Sequence, residues 1–102
     1  MTGYEHKVSI QAASGAATSS TLFIPGGIGR QLLIRANTAT TVFRADLKDG
    51  DGVIRRHWGY HTGELNDTSD NIRFFFTGSY AIEITNASPD NDTFLLRLAL
   101  QE

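Results

Sequence analysis

Apolar and polar residues alternate along most of this chain. The pattern is plainest near the C-terminus, where Phe94, Leu96, Leu98 and Leu100 interleave with Leu95, Arg97 and Ala99. Tyr80, Ile82 and Ile84 alternate with Ala81, Glu83 and Thr85, and Val8 and Ile10 with Lys7 and Ser9. Phe43, Ala45 and Leu47 stand against Val42, Arg44 and Asp46 in the same way. A period of two puts each set on its own face of a pleated strand. No window keeps the i, i+3, i+4, i+7 spacing over the roughly ten residues that a helix needs. The pattern predicts an all-β chain.

Turn chemistry punctuates it. Pro25-Gly26-Gly27 follows one apolar run, proline presetting φ and glycine accepting a positive φ. Asp49-Gly50-Asp51-Gly52 reads as a hairpin, Thr77-Gly78-Ser79 as a short link, and 86–92 (NASPDND) as a polar loop. About eight strands are expected, at 4–11, 20–24, 31–36, 41–48, 53–58, 71–76, 79–85 and 93–101. Regular short strands predict an antiparallel two-sheet β-sandwich or jelly-roll-like domain. The small residues of 12–20 (AASGAATSS) are expected to form a surface loop or hinge, with 1–11 an arm or an edge strand.

Composition narrows the reading. With 102 residues the chain is expected to be one domain over 1–102. It contains no cysteine, so disulfides and thiolate metal sites are excluded. The net charge is −2 and the basic residues are scattered, which argues against a nucleic-acid partner. The opening MTGYEHKVSI lacks a basic segment followed by an apolar one, so no signal peptide is expected, and no apolar run is long enough to span a membrane.

The motifs that suggest chemistry fail on context. Gly26-Gly27-Ile28-Gly29 has the glycines of a phosphate loop, but a strand rather than a helix is expected behind it. Asp46, Asp49 and Asp51 miss the calcium-loop spacing. His57 and His61, four apart along a strand, would stand about 13 Å from each other, too far to share a zinc ion. There is no G-x-S-x-G elbow, and nothing singles out a carboxylate pair. The sequons at Asn66, Asn86 and Asn91 read as polar turns. No enzyme activity, metal or cofactor is expected.

Two features stand above this background. If Leu22, Ile24, Leu32, Ile34, Phe74 and Phe76 face the core, then Phe23, Leu33 and Phe75 point away from it, and Leu95 is likewise out of phase with Phe94 and Leu96. Outer faces of a sandwich are normally polar, so this surplus calls for a second cover. Arginine also outnumbers lysine seven to two and sits mostly on predicted strands, among them Arg35, Arg44 and Arg97. Arginine favours contact surfaces where lysine is depleted. Phe23, Leu33, Arg35, Arg44, Phe75, Leu95 and Arg97 are therefore the candidate protein interface.

The run TLFIPGGIGRQLLIRANTATTVFRADLKDGDGVI, followed by GSYAIEITNAS, resembles small structural proteins of tailed bacteriophages, above all the β-sandwich proteins that decorate and cement capsids. The resemblance covers roughly residues 20 to 100 and is one of style, with no ligand motif to anchor it. It implies a virion protein, made in the bacterial cytoplasm, that binds the major capsid protein on the outside of the head as a homo-oligomer, dimer or trimer. A tail or head–tail connector component is the near alternative. The rival from another class is a carbohydrate-binding module, with Trp58 and Tyr60 presenting aromatic faces and His57, Asp67 and Asp70 as polar partners; core or edge packing is the other reading of these two aromatic side chains.

Overall fold

The computed structural model describes residues 3–101, and its strands are β1 (Gly3–Ala12), β2 (Ala17–Ala36), β3 (Val42–Asp49), β4 (Ile54–Thr62), β5 (Glu64–Asp67), β6 (Phe75–Asn86) and β7 (Asp92–Gln101). Every pairing is antiparallel. Twenty extended residues would span about 66 Å, yet the longest dimension of the molecule is 41 Å. β2 therefore folds over. Its first half pairs with β6, from Ala17↔Thr85 to Ile24↔Gly78, and its second half with β7, from Ile28↔Gln101 to Ala36↔Phe94.

This strand belongs to both layers of a sandwich. One layer runs β1-β7-β2(second half)-β5 and the other β2(first half)-β6-β3-β4. The topology is that of a jelly roll, and counting β2 twice gives eight strand segments. The tight turn expected at Pro25-Gly26-Gly27 is instead a bend within one continuous strand, with neither glycine at a positive φ, and the chain passes there from one layer to the other with register shifts at Ile24/Gly27 and Gly29/Gln31. Proline has no N–H to give a ladder, and the glycines let other backbone come close. At Gly29 a Cβ would sit 2.0 Å from the Ile72 carbonyl oxygen, and its N–H donates to the Phe74 carbonyl at 2.9 Å.

The alternating apolar residues fill the space between the layers. Leu32, Ile34, Phe43, Leu47, Phe76, Ile82, Ile84, Phe94, Leu96 and Leu98 are fully buried. Phe43 meets Phe94 edge-on at 5.2 Å, and Phe74, Phe76 and Tyr80 form an edge-to-face cluster with centroids 5.0 to 5.7 Å apart.

Three expectations change. The loop foreseen at 12–20 shrinks to a turn at 13–16, closed by Ala16 N–H to the Ala13 carbonyl at 3.0 Å with Gly15 at φ 71°. Residues 17–20 are strand because β6 offers them a ladder, and Ser20 and Ala12 are small enough to be buried between β1 and β2. The strand expected at 71–76 begins only at Phe75; the residues before it cross the edge of the sandwich and bury Ile72. β5 was not foreseen. It follows β4 through Gly63, whose φ of 77° and whose approach to the Ala39 carbonyl (2.5 Å from a Cβ placed there) admit no side chain.

Candidate interaction surfaces

The seven interface candidates fall on three separate surfaces. Leu33, Arg35, Leu95 and Arg97 lie together on the outer face of the β1-β7-β2-β5 layer, where the register sets Leu33 opposite Arg97 and Leu95 opposite Arg35. Each leucine is half-buried beside an arginine stem, which can cover apolar surface while its head stays wet. The heads have partners in the chain itself. Arg35 Nε donates to Glu64 Oε1 at 3.0 Å, and Arg97 Nε lies 2.7 Å from Glu5 Oε2 with its N–H turned off the line to the carboxylate.

Arg44 belongs to the outer face of the other layer. It stands 3.5 Å from Asp46, whose buried carboxylate also accepts from His57 Nδ1 at 2.5 Å, while Lys48 pairs with Glu83 at 3.1 Å. His61 turns its Nδ1 to the Gly59 carbonyl instead, so the two histidines do not converge. The Asp-Gly segment is a hairpin turn. Asp49 Oδ1 accepts from Asp51 N–H and Val53 N–H, and Oδ2 from Arg55 Nε at 2.8 Å. The Val53 bond, together with those from Arg55 and Asp51, holds this carboxyl below its ordinary value against a smaller desolvation effect. Among the described residues no cluster of three histidine, aspartate or glutamate side chains is placed to hold a metal ion.

Phe23 and Phe75 mark the third surface, the end of the sandwich where β2 folds over. They are 66% and 59% exposed. Ile28 pairs with Phe75 across the corner, and Gly26, Gly27, Ile28, Phe75 and Gln101 line a cavity of about 360 Å³. Val53 and Ile54, at the β3–β4 turn, are exposed at the same end. Among the described residues, five of the six large exposed apolar side chains thus lie in this half of the sandwich, spread along it rather than packed into one cluster, and Tyr60 lies elsewhere. Sequence pattern alone had found Phe23 and Phe75; Ile28, Val53 and Ile54 join them only through the fold.

Trp58 is not an open aromatic platform. It is 6% exposed, and its indole N–H donates to Asp67 Oδ2 at 2.6 Å. Desolvation raises the Asp67 pKa, but the bonds from Ser69 and Trp58 outweigh it and leave the carboxyl below its ordinary value. Asp67 is therefore committed to Trp58 and Ser69, and of the expected aromatic pair only Tyr60 is free to meet a ligand.

The opposite end of the sandwich is polar and closed. Asn86 is completely buried: its Nδ2 donates to the carbonyls of Ala12 and Asp90, and its Oδ1 accepts from the Ser88 N–H and hydroxyl. Asp92 accepts from the Thr41 hydroxyl at 2.7 Å and from the N–H groups of Thr38 and Thr93. Burial raises its pKa, and these bonds more than reverse the effect. With its amide nitrogen spent in this way, the Asn86 sequon is a structural turn.

No protein family and no curated protein matches the sequence. Solved structures do match the fold. A chain of the cyanophage Pam1 capsid asymmetric unit superposes with a TM-score of 0.56 at 12% identity, covering 97% of this chain and 82% of that one. The CBM36-1 domain of a multidomain xylanase from the hindgut metagenome of Trinervitermes trinervoides gives 0.52 at 17% identity, covering 97% and 98%. A chain of infectious bursal disease virus, Gt strain, gives 0.44 at 15% identity, with this chain spanning 32% of its length. This is an all-β jelly roll of a kind used both in viral shells and in carbohydrate-binding modules.

Proposed function

We propose that this protein is a non-enzymatic capsid accessory of a tailed phage, a decoration or cement protein that docks on the outer surface of the head and stabilises it. The observation that carries the reading is the exposure of Phe23, Ile28 and Phe75 toward the end where β2 folds over. Large apolar side chains left facing solvent at one end of a molecule mark surfaces that other proteins cover. A contact of ordinary size takes about 800 Å² from each partner, a small part of the 5456 Å² that this chain exposes. The likeness to a chain of comparable size in a phage capsid asymmetric unit supports the same reading. The major capsid protein is the partner it implies, and the surface of the virion the location. Repetition over a lattice turns a modest single contact into firm retention.

The rival is carbohydrate binding, favoured by the xylanase-module likeness and by the exposed ring of Tyr60. Sedimentation with phage heads assembled without this protein separates the two. The docking reading predicts saturable co-sedimentation and heads that withstand heating or osmotic shock better when decorated. Binding to isolated tails instead would move the protein to the tail or connector. Failure to bind either, with saturable polysaccharide binding lost in Tyr60→Ala, would establish the rival.

A further inference from the structure

The edges of the two layers are finished in different ways. β4 is bulged against β3 at two places, and the segment after β5 covers its free side: Asn71 Nδ2 donates to the His57 carbonyl and Arg56 Nε to the Asn71 carbonyl, both at 3.1 Å. β5 is only four residues long. β1, on the opposite side, keeps an unbroken register with β7 from Gly3↔Gln101 to Ala12↔Asp92 and pairs with no other strand among the described residues. It holds neither proline nor bulge. Every second residue of such a strand turns its N–H and C=O away from its neighbour, and an unblocked edge of that kind is a template for another strand. Val8 and Ile10 point inward yet stay half-buried, because the layer stops beside them.

We infer that β1 is a dimerisation edge, where a second copy of this chain pairs antiparallel about a two-fold axis at Ser9 and joins two layers into one continuous sheet. Such an axis uses the same edge twice, so the strand must be complementary to itself. β1 is. With Ser9 facing its own copy, Val8 lies opposite the partner's Ile10, and Lys7 lies opposite the partner's Gln11. Apolar then meets apolar on the inner face, and no like charges oppose each other on the outer face. Centring the axis on Lys7 would oppose two lysines, and centring it on Val8 would set Ile10 against His6. The inference goes beyond the docking reading and does not depend on it, since it rests on the edge and not on the apolar end.

The absence of cysteine makes the test clean. Ser9 and Gln11 are both exposed, so either accepts a thiol without disturbing the core. Opposed residues across the axis bring their Cβ atoms to about 5 Å, close enough for a disulfide after slight adjustment. Two Gln11 positions would be about 13 Å apart. Under mild oxidation Ser9→Cys should become a covalent dimer rapidly and Gln11→Cys only slowly. The unmodified protein should sediment at about twice the 11.2 kDa chain mass, and Ile10→Lys should sediment as a folded monomer. Should Ile10→Lys fail to fold, the cysteine pair still decides. A monomeric or trimeric unmodified protein, or equal cross-linking rates for the two cysteine variants, overturns the inference.

Discussion

The two ends of this sandwich are built on opposite principles. At one end the side chains of Asn86 and Asp92 tie the end of β1, the segment 37–41 and the loop 87–91 together with buried and half-buried hydrogen bonds. At the other, Phe23, Ile28, Phe75, Val53 and Ile54 face water around the folded-over β2. Buried polar groups with all their partners hold one arrangement and are expensive to disturb. Exposed aromatic rings add little to folding and gain free energy only when something covers them. The first end keeps the fold, and the second is where the sequence departs from what folding alone requires.

The largest effect is expected midway between the ends and sets the scale for both. Leu96 is fully buried, so Leu96→Ala should lower stability by about 2–5 kcal/mol in urea unfolding. Asn86→Ala should come next, with a loss of about 2–3 kcal/mol, because it leaves the buried Ala12 carbonyl without its donor and frees the Ser88 N–H and hydroxyl that close the loop. A loss comparable to that of an exposed substitution would mean that the polar end is not a fixed knot.

Acid should loosen the structure through three carboxylates, one of them, Asp92, in the same knot. Asp92, Asp67 and Asp49 all titrate below the ordinary value of 3.8 in the folded chain. A depressed folded pKa gives stability that is complete above the unfolded value and is lost as pH falls through the folded one. The melting temperature should therefore hold at neutral pH and decline once pH drops below 3.8. Asp92→Asn should flatten that decline, and a decline unaffected by it would remove Asp92 from the account. The smallest effect belongs to the apolar end: Phe75→Ser should change stability by no more than about 0.5 kcal/mol. A loss of several times that size would show that Phe75 packs against the fold.

Much of this was legible in the sequence. The inward faces of β3, β6 and β7 follow directly from alternation, and Phe23 and Phe75 are exposed where the phase of their strands puts them. Sequence pattern could not say which layer a strand joins. It grouped Leu33 and Leu95 with Phe23 and Phe75, whereas β2 carries Leu33 into one layer after leaving Phe23 in the other. For Trp58 the pattern left packing and ligand binding open, and the structure decides for packing. Its bond to Asp67 leaves no periodic trace near Trp58. The run Phe74-Phe75-Phe76 has no period of its own, so where β6 begins was decided by contacts with β2.

The central claim, that the apolar end is the docking end, is tested most directly by the affinity of single-site variants for phage heads assembled without this protein. Phe23→Asp and Phe75→Asp should abolish co-sedimentation while keeping the β-rich circular dichroism and the melting temperature of the unmodified protein. Arg35→Ala, on the outer face of the other layer, should bind as the unmodified protein does. Undiminished binding by Phe75→Asp together with Phe23→Asp would contradict the account.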